Sequence, residues 1–76
     1  MRVLLFGIAR DIAGSSFINA EGITTVAGLR SWLYSQYPEL QKLKSLMIAV
    51  NKVYASDGDI IKNEDEIAII PPVSGG

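Results

Sequence analysis

Apolar residues along this chain recur with two different periods, and the places where one period gives way to the other mark out its elements. Val3 to Ala9 (Val-Leu-Leu-Phe-Gly-Ile-Ala) is apolar at both parities, the pattern of a strand covered on both faces inside a sheet. Arg10 to Gly14 reads as a short helical turn closed by glycine, and Ser15-Ser16 opens a weaker strand through Phe17, Ile18, Asn19 and Ala20. After a turn at Glu21-Gly22-Ile23, Thr24 and Thr25 supply hydroxyl N-caps ahead of Val26, Leu29, Trp32 and Leu33, which recur at helical spacing. That helix runs to about Tyr37, where Pro38 ends it. Gly28 inside it costs about 1 kcal/mol relative to alanine, so packing of the Val26, Leu29 and Leu33 stripe must hold it.

Pro38 to Leu43 suits another helical turn with proline at its start, followed by solvated Lys44 and Ser45. Leu46 to Val50 is a strand, Asn51-Lys52 a two-residue turn in which Asn accepts positive φ, and Val53-Tyr54 a short return strand. A loop at Ser56 to Asp59, an apolar anchor at Ile60-Ile61 and a turn at Lys62 to Asp65 lead into a last strand, Glu66 to Ile70. One main helix is thus available to cover one face of a mixed sheet, the plan of an α+β roll of the ubiquitin-like β-grasp type. The two most apolar runs, Val3 to Phe6 and Ile67 to Ile70, are expected to lie side by side and parallel in the middle of that sheet. Strand parity then turns Ile67 and Ile69 toward the helix, and Ile70 toward the other face with Phe6 and Tyr54.

Composition narrows the chemistry. Seventy-six residues make one domain, 1–76, near the lower limit for a core without staples. There is no Cys and no His, which removes disulfides, thiolate nucleophiles, the usual zinc ligands and any Ser-His or Cys-His pair. Seven basic residues are scattered among eight acidic ones, so nucleic acid is not expected as a partner. No apolar run is long enough for a membrane span or a signal h-region, and the expectation is a soluble, cytoplasmic protein. Asp57, Asp59, Glu64, Asp65 and Glu66 lack the spacing of a calcium loop, and Gly7 and Gly14 lack the spacing and following Lys of a phosphate loop; no metal or resident cofactor is expected. Hydrophobic residues nonetheless make up 49 % of the chain, which implies exposed apolar surface and hence a partner.

What remains for chemistry is residues 71–76, Pro-Pro-Val-Ser-Gly-Gly. Pro71 and Pro72 halt strand pairing and favour an extended chain, so at roughly 3.1 Å per residue Gly76 would project about 15 to 20 Å beyond the sheet. Gly75 and Gly76 have no side chains, so such an arm would pass a slot little wider than the backbone and present its carboxyl in another protein's active site.

These residues carry a resemblance. Val50-Asn51, Asp65-Glu66-Ile67, the Val-Leu-Leu-Phe-Gly opening with Arg10 after it, the helix start Thr25 to Arg30, and above all Pro71-Pro72-Val73-Ser74-Gly75-Gly76 are similar to the small subunits of molybdopterin synthase, ubiquitin-like sulfur carriers. The resemblance covers essentially the whole chain and implies a carrier, not itself catalytic. Its Gly76 carboxylate would be transiently adenylated by an ATP-dependent activating enzyme and converted to a thiocarboxylate. Pro71, Pro72, Val73, Ser74 and Gly75 would then thread into the large subunit of the synthase, in a heterotetramer of two small and two large subunits. There sulfur would pass to a pyranopterin precursor. The resemblance also implies that the patch of Phe6, Tyr54 and Ile70 docks both partners. One departure is the turn before the last strand, Asn63-Glu64-Asp65-Glu66, where such carriers commonly have Asp-Gly-Asp-Glu. The fold and Gly-Gly end also resemble thiazole-forming and tRNA-thiolation sulfur carriers and modifiers joined to lysine through Gly76.

Overall fold

In a computed structural model, which describes residues 1–43 and 45–71, the elements are strand β1 (Arg2–Leu5), helix α1 (Gly7–Ala13), strand β2 (Phe17–Asn19), helix α2 (Val26–Gln36), a 3-10 turn (Pro38–Lys42) and strands β3 (Met47–Val50), β4 (Val53–Tyr54) and β5 (Ile67–Ile70). The strands form one mixed sheet in the order β2-β1-β5-β3-β4. β1 and β5 are parallel neighbours, pairing Val3 with Ile67, Leu4 with Ala68 and Leu5 with Ile69, and the other contacts in the sheet are antiparallel. The expected pairing of the two most apolar runs is therefore present.

One parity of each central strand makes the core. Val3 and Leu5 of β1, Ile48 of β3 and Ile67 and Ile69 of β5 are buried against Val26, Leu29 and Leu33 of α2, with Leu40 of the 3-10 turn closing one end. Trp32, Tyr34 and Tyr37 are half-buried against the same core. Among the described residues no polar or charged side chain is buried, so the interior holds no unpaired group that would have to be desolvated.

The start of α2 is closed by three hydrogen bonds. Gly28 N–H donates to the Thr25 hydroxyl at 3.1 Å, Val26 N–H to the Asp59 carbonyl at 3.0 Å and Ala27 N–H to the Asp57 carbonyl at 2.9 Å. Together they satisfy most of the donors a helix leaves free at its first turn. A Cβ on residue 28 would stand 3.2 Å from the Thr25 hydroxyl oxygen, so glycine here leaves room for the cap and offsets its poor helix propensity. At the other side of α2, Arg30 donates from Nη1 to the Leu46 carbonyl at 2.6 Å and from Nε to Asp57 Oδ1 at 3.1 Å, tying helix, loop and the entry to β3 together.

Two expectations need correction. The first strand does not run to Ala9: it ends at Leu5, and Gly7, Ile8 and Ala9 belong to α1. Gly7 has φ +56°, which turns the chain out of the sheet after the last ladder bond, from Phe6 N–H to the Ile69 carbonyl. Ala9, Ile12 and Ala13 then face the core at i, i+3 and i+4, and Gly14 closes the helix at φ +74°. The second correction concerns Ile60-Ile61, where only Ile61 is an anchor. Ile60 is 72 % exposed, because its bridge to Thr25 turns its side chain outward while Ile61 N–H reaches the Thr24 carbonyl.

Candidate functional site

The sheet face away from α2 is the uncovered one, and register decides its shape. Phe17 pairs with Leu4, Leu4 with Ala68, Ala68 with Ala49 and Ala49 with Tyr54, so one row of side chains crosses all five strands. Its members on β5 and β3 are alanines. Small side chains between Leu4 and Phe17 on one side and Tyr54 on the other leave a depression of about 450 Å³, lined by Leu4, Phe6, Ala49, Lys52, Tyr54, Glu66, Ala68 and Ile70. The next row toward the tail pairs Ile70 with Met47. Phe6, Tyr54, Phe17 and Met47 are 49 %, 62 %, 39 % and 40 % exposed. An apolar surface of this kind, continuous across a sheet, is what a docking partner covers.

Charge is graded along this face. β1 and β5 run parallel, so Arg2 and Glu66 stand at the same end, with Lys52 of the turn beside them, while Phe6, Ile70 and Met47 stand at the end from which the chain leaves toward the tail. Arg2 lies over the ring of Phe17, 4.1 Å from its centroid, so one cation is already engaged by the face itself. The structure therefore brings Phe6, Tyr54 and Ile70 around one depression. It adds Leu4, Ala49 and Ala68, whose contribution depends on cross-strand register and cannot be read from a strand taken alone.

The charged end is held by a clasp. Asn51 and Lys52 take φ +52° and +70° in the β3–β4 turn, as a two-residue hairpin of this twist requires. Asn51 N–H donates to the Glu66 carbonyl at 2.7 Å, Glu66 N–H donates to Asn51 Oδ1 at 2.9 Å, and Asn51 Nδ2 donates to Asp65 Oδ1 at 3.1 Å. Asp65 Oδ2 also accepts from Lys62 N–H at 2.8 Å. This backbone donor, then the Asn51 amide, holds the Asp65 carboxyl below the ordinary carboxylate range. Because the folded pKa is the lower one, the stability linked to Asp65 is present above the unfolded value and is lost as pH falls through the folded one. The expected result is an Asp65 side chain whose carbon shift in NMR titrates below that of an unstructured Asp. Its acid-side loss of stability should be absent in Asp65→Asn. A midpoint at the ordinary value would show that the clasp does not engage the charge.

At the opposite end, Pro71 follows Ile70 and is half-buried beside Gly7. Pro72, Val73, Ser74, Gly75 and Gly76 lie outside the described residues. Among the described residues no group of His, Cys, Asp and Glu is arranged to hold a metal ion, and no helix is long and apolar enough to cross a membrane. The site consists of an apolar face and the root of a tail that leaves from one end of it.

Known proteins resemble this chain over essentially its whole length. The model of the ThiS family matches residues 3–76. The molybdopterin synthase sulfur carrier subunit of Arabidopsis thaliana is 38 % identical over 80 residues, covering 100 % of this chain and 82 % of that one. Among solved structures, the small archaeal modifier protein 1 of Methanosarcina acetivorans superposes with a TM-score of 0.81 at 28 % identity, covering 99 % of this chain and 94 % of that one. A chain from the protein-protein complex of subunits 1 and 2 of the molybdopterin-converting factor of Helicobacter pylori matches with a TM-score of 0.63 at 28 % identity, covering 99 % of this chain and 96 % of that one.

Proposed function

The chain belongs to the ThiS family, and from that premise we propose that it is a molybdopterin synthase sulfur carrier subunit, bearing sulfur as a thiocarboxylate on Gly76 and delivering it to a pyranopterin precursor held by a large subunit. The observation that carries this reading is the apolar face ending at the root of a Pro-Pro-Val-Ser-Gly-Gly tail, in a chain whose curated relatives share both its whole length and that name. A carrier of this type needs no catalytic side chains of its own. It needs a face that a partner recognises and an end that reaches the partner's chemistry.

The chemistry follows from the carboxyl group. A carboxylate is a poor electrophile because its oxygen is a poor leaving group, so one oxygen of Gly76 first attacks the α-phosphate of ATP on an activating enzyme, releasing pyrophosphate and leaving a glycyl-adenylate. Sulfur at the oxidation level of hydrosulfide then attacks the acyl carbon, the bond to AMP breaks, and a thiocarboxylate remains. Such a sulfur is ionised at neutral pH and nucleophilic without a neighbouring base, which suits a chain containing no Cys and no His. The large-subunit partnership is supported by the similarity to a chain from a complex of subunits 1 and 2, and the assembly we propose for it is a heterotetramer of two small and two large subunits. The cytoplasm, where ATP and reduced sulfur donors are both available, is the compartment we propose for this work.

The test is the intact mass of the protein after incubation with ATP, an activating enzyme and a sulfur donor. One oxygen of the C-terminal residue should be replaced by sulfur. A mass that stays that of the free acid, under conditions that load a known carrier, would refute the reading. Gly76 recovered in isopeptide linkage to lysines would instead make the chain a protein modifier, the function that the name of its archaeal structural relative describes.

A further inference from the structure

The junction of β1 and α1 lies against the root of the tail at Gly7. Gly7 is exposed and has φ +56°, and a Cβ built on it would lie 3.2 Å from Cγ and 3.8 Å from Cδ of Pro71. A side chain on residue 7 would therefore press on the proline ring, which would have to give by a few tenths of an ångström. The same two strands are locked one step earlier by the bond from Phe6 N–H to the Ile69 carbonyl at 3.3 Å. Ile70 is still paired with Met47 of β3, but Pro71 has no N–H to donate to the ladder, so beyond Ile70 the heading of the chain depends on packing. Gly14 and Gly22 also have positive φ, but among the described residues nothing lies within 4 Å of a Cβ on either, so they serve the helix end and the turn without seating a neighbour.

We propose that Gly7 is a positioning residue for the tail: its lack of a side chain gives the Pro71 ring a seat, and that seat sets the heading with which the chain leaves the sheet. The proposal rests on the sulfur-carrier reading for its functional consequence. A tail that must carry Gly76 into a partner's active site is sensitive to an error at its root, because residue 71 is the point from which the remaining residues have to reach the reacting atoms. Misplacing a reacting group by about 1 Å costs on the order of a hundredfold in rate. The docking face is not altered by such an error, so affinity and delivery should separate.

The test uses three variants of the full chain. Gly7→Asn adds a side chain against Pro71 while keeping strain low, since Asn tolerates positive φ better than other residues. Pro71→Ala removes Cγ and Cδ, and the double variant restores room at the contact. With large subunit saturating, Gly7→Asn thiocarboxylate should transfer sulfur roughly tenfold or more slowly than wild type, at unchanged Kd for the large subunit. The double variant should transfer at the rate of Pro71→Ala alone. Wild-type protein should also show a nuclear Overhauser contact between Gly7 Hα and the Pro71 ring, a readout independent of any activity. Transfer by Gly7→Asn at the wild-type rate, equal slowing in single and double variants, or absence of the Overhauser contact would overturn the proposal. Failure of wild-type protein to be loaded at all would instead overturn the carrier reading and leave the contact to be judged by NMR.

Discussion

Ile70→Asp is expected to leave the domain folded and to weaken its binding both to the large subunit and to the activating enzyme by roughly 30-fold to 1,000-fold, the loss of about 2 to 4 kcal/mol that follows removal of a central interface anchor. Ile70 is the one β5 side chain placed both on the open face and next to the tail root. It lines the depression, pairs with Met47 across the sheet, and precedes Pro71. Its neighbours in β5, Ile67 and Ile69, point the other way and are fully buried, so the substitution does not open the core. A carboxylate at 70 would have to be desolvated against Phe6, Met47 and Ala68 on docking. Ser31→Asp, an equally acidic change on an exposed position of α2 across the sheet, should bind like wild type. Calorimetric titration with each partner measures the affinities and thermal unfolding checks the fold. If folded Ile70→Asp binds both partners as tightly as wild type, the open face is not the docking surface.

That face shows where sequence reading reaches and where it stops. Ile67, Ile69 and Ile70 announce their sides by alternation alone, and the pairing of β1 with β5 follows because only a central position accounts for two such apolar runs. The Asn51-Lys52 turn is legible because few residues accept positive φ at a hairpin. Helix α1 is legible only in its second half, the turn from Arg10 closed by Gly14; its start is not, since Gly7-Ile8-Ala9 continues an apolar run whose period over three residues fits a strand or a helix equally well, and only the positive φ at Gly7 separates the two. Ala49 and Ala68 carry almost no hydrophobic signal. Their importance is that they stand opposite each other between larger side chains, which is a property of register and not of either strand. The contact of Gly7 with Pro71 joins residues 64 positions apart and leaves no mark on local pattern. The meaning of the Gly-Gly end is different again: length and stiffness follow from the residues, but the sulfur chemistry comes from resemblance to known carriers.

One residue added after Gly76 is expected to abolish sulfur loading and transfer while leaving thermal stability unchanged. The core that holds the fold lies between Val3 and Ile69, so the added residue touches none of it, and exposed termini tolerate extension for that reason. Chemically the change is severe. The Gly76 carboxyl becomes an amide, which has no free oxygen to attack ATP, and the new carboxyl stands about 3.3 to 3.6 Å farther along an extended chain. Reaction between groups held in a site needs them within about 3 to 3.5 Å, so a displacement of that size removes the overlap that bound geometry supplies. An alanine is the sharper probe than a glycine because its Cβ must also enter a passage that Gly75 and Gly76 leave bare. The measurement is intact mass before and after incubation with ATP, the activating enzyme and a sulfur donor, followed by product formation with the large subunit. The recovered protein must still carry the extra residue, since trimming would regenerate Gly76. Wild-type loading and transfer by a chain that demonstrably keeps its extension would mean that the terminal carboxyl of Gly76 is not where the sulfur is carried.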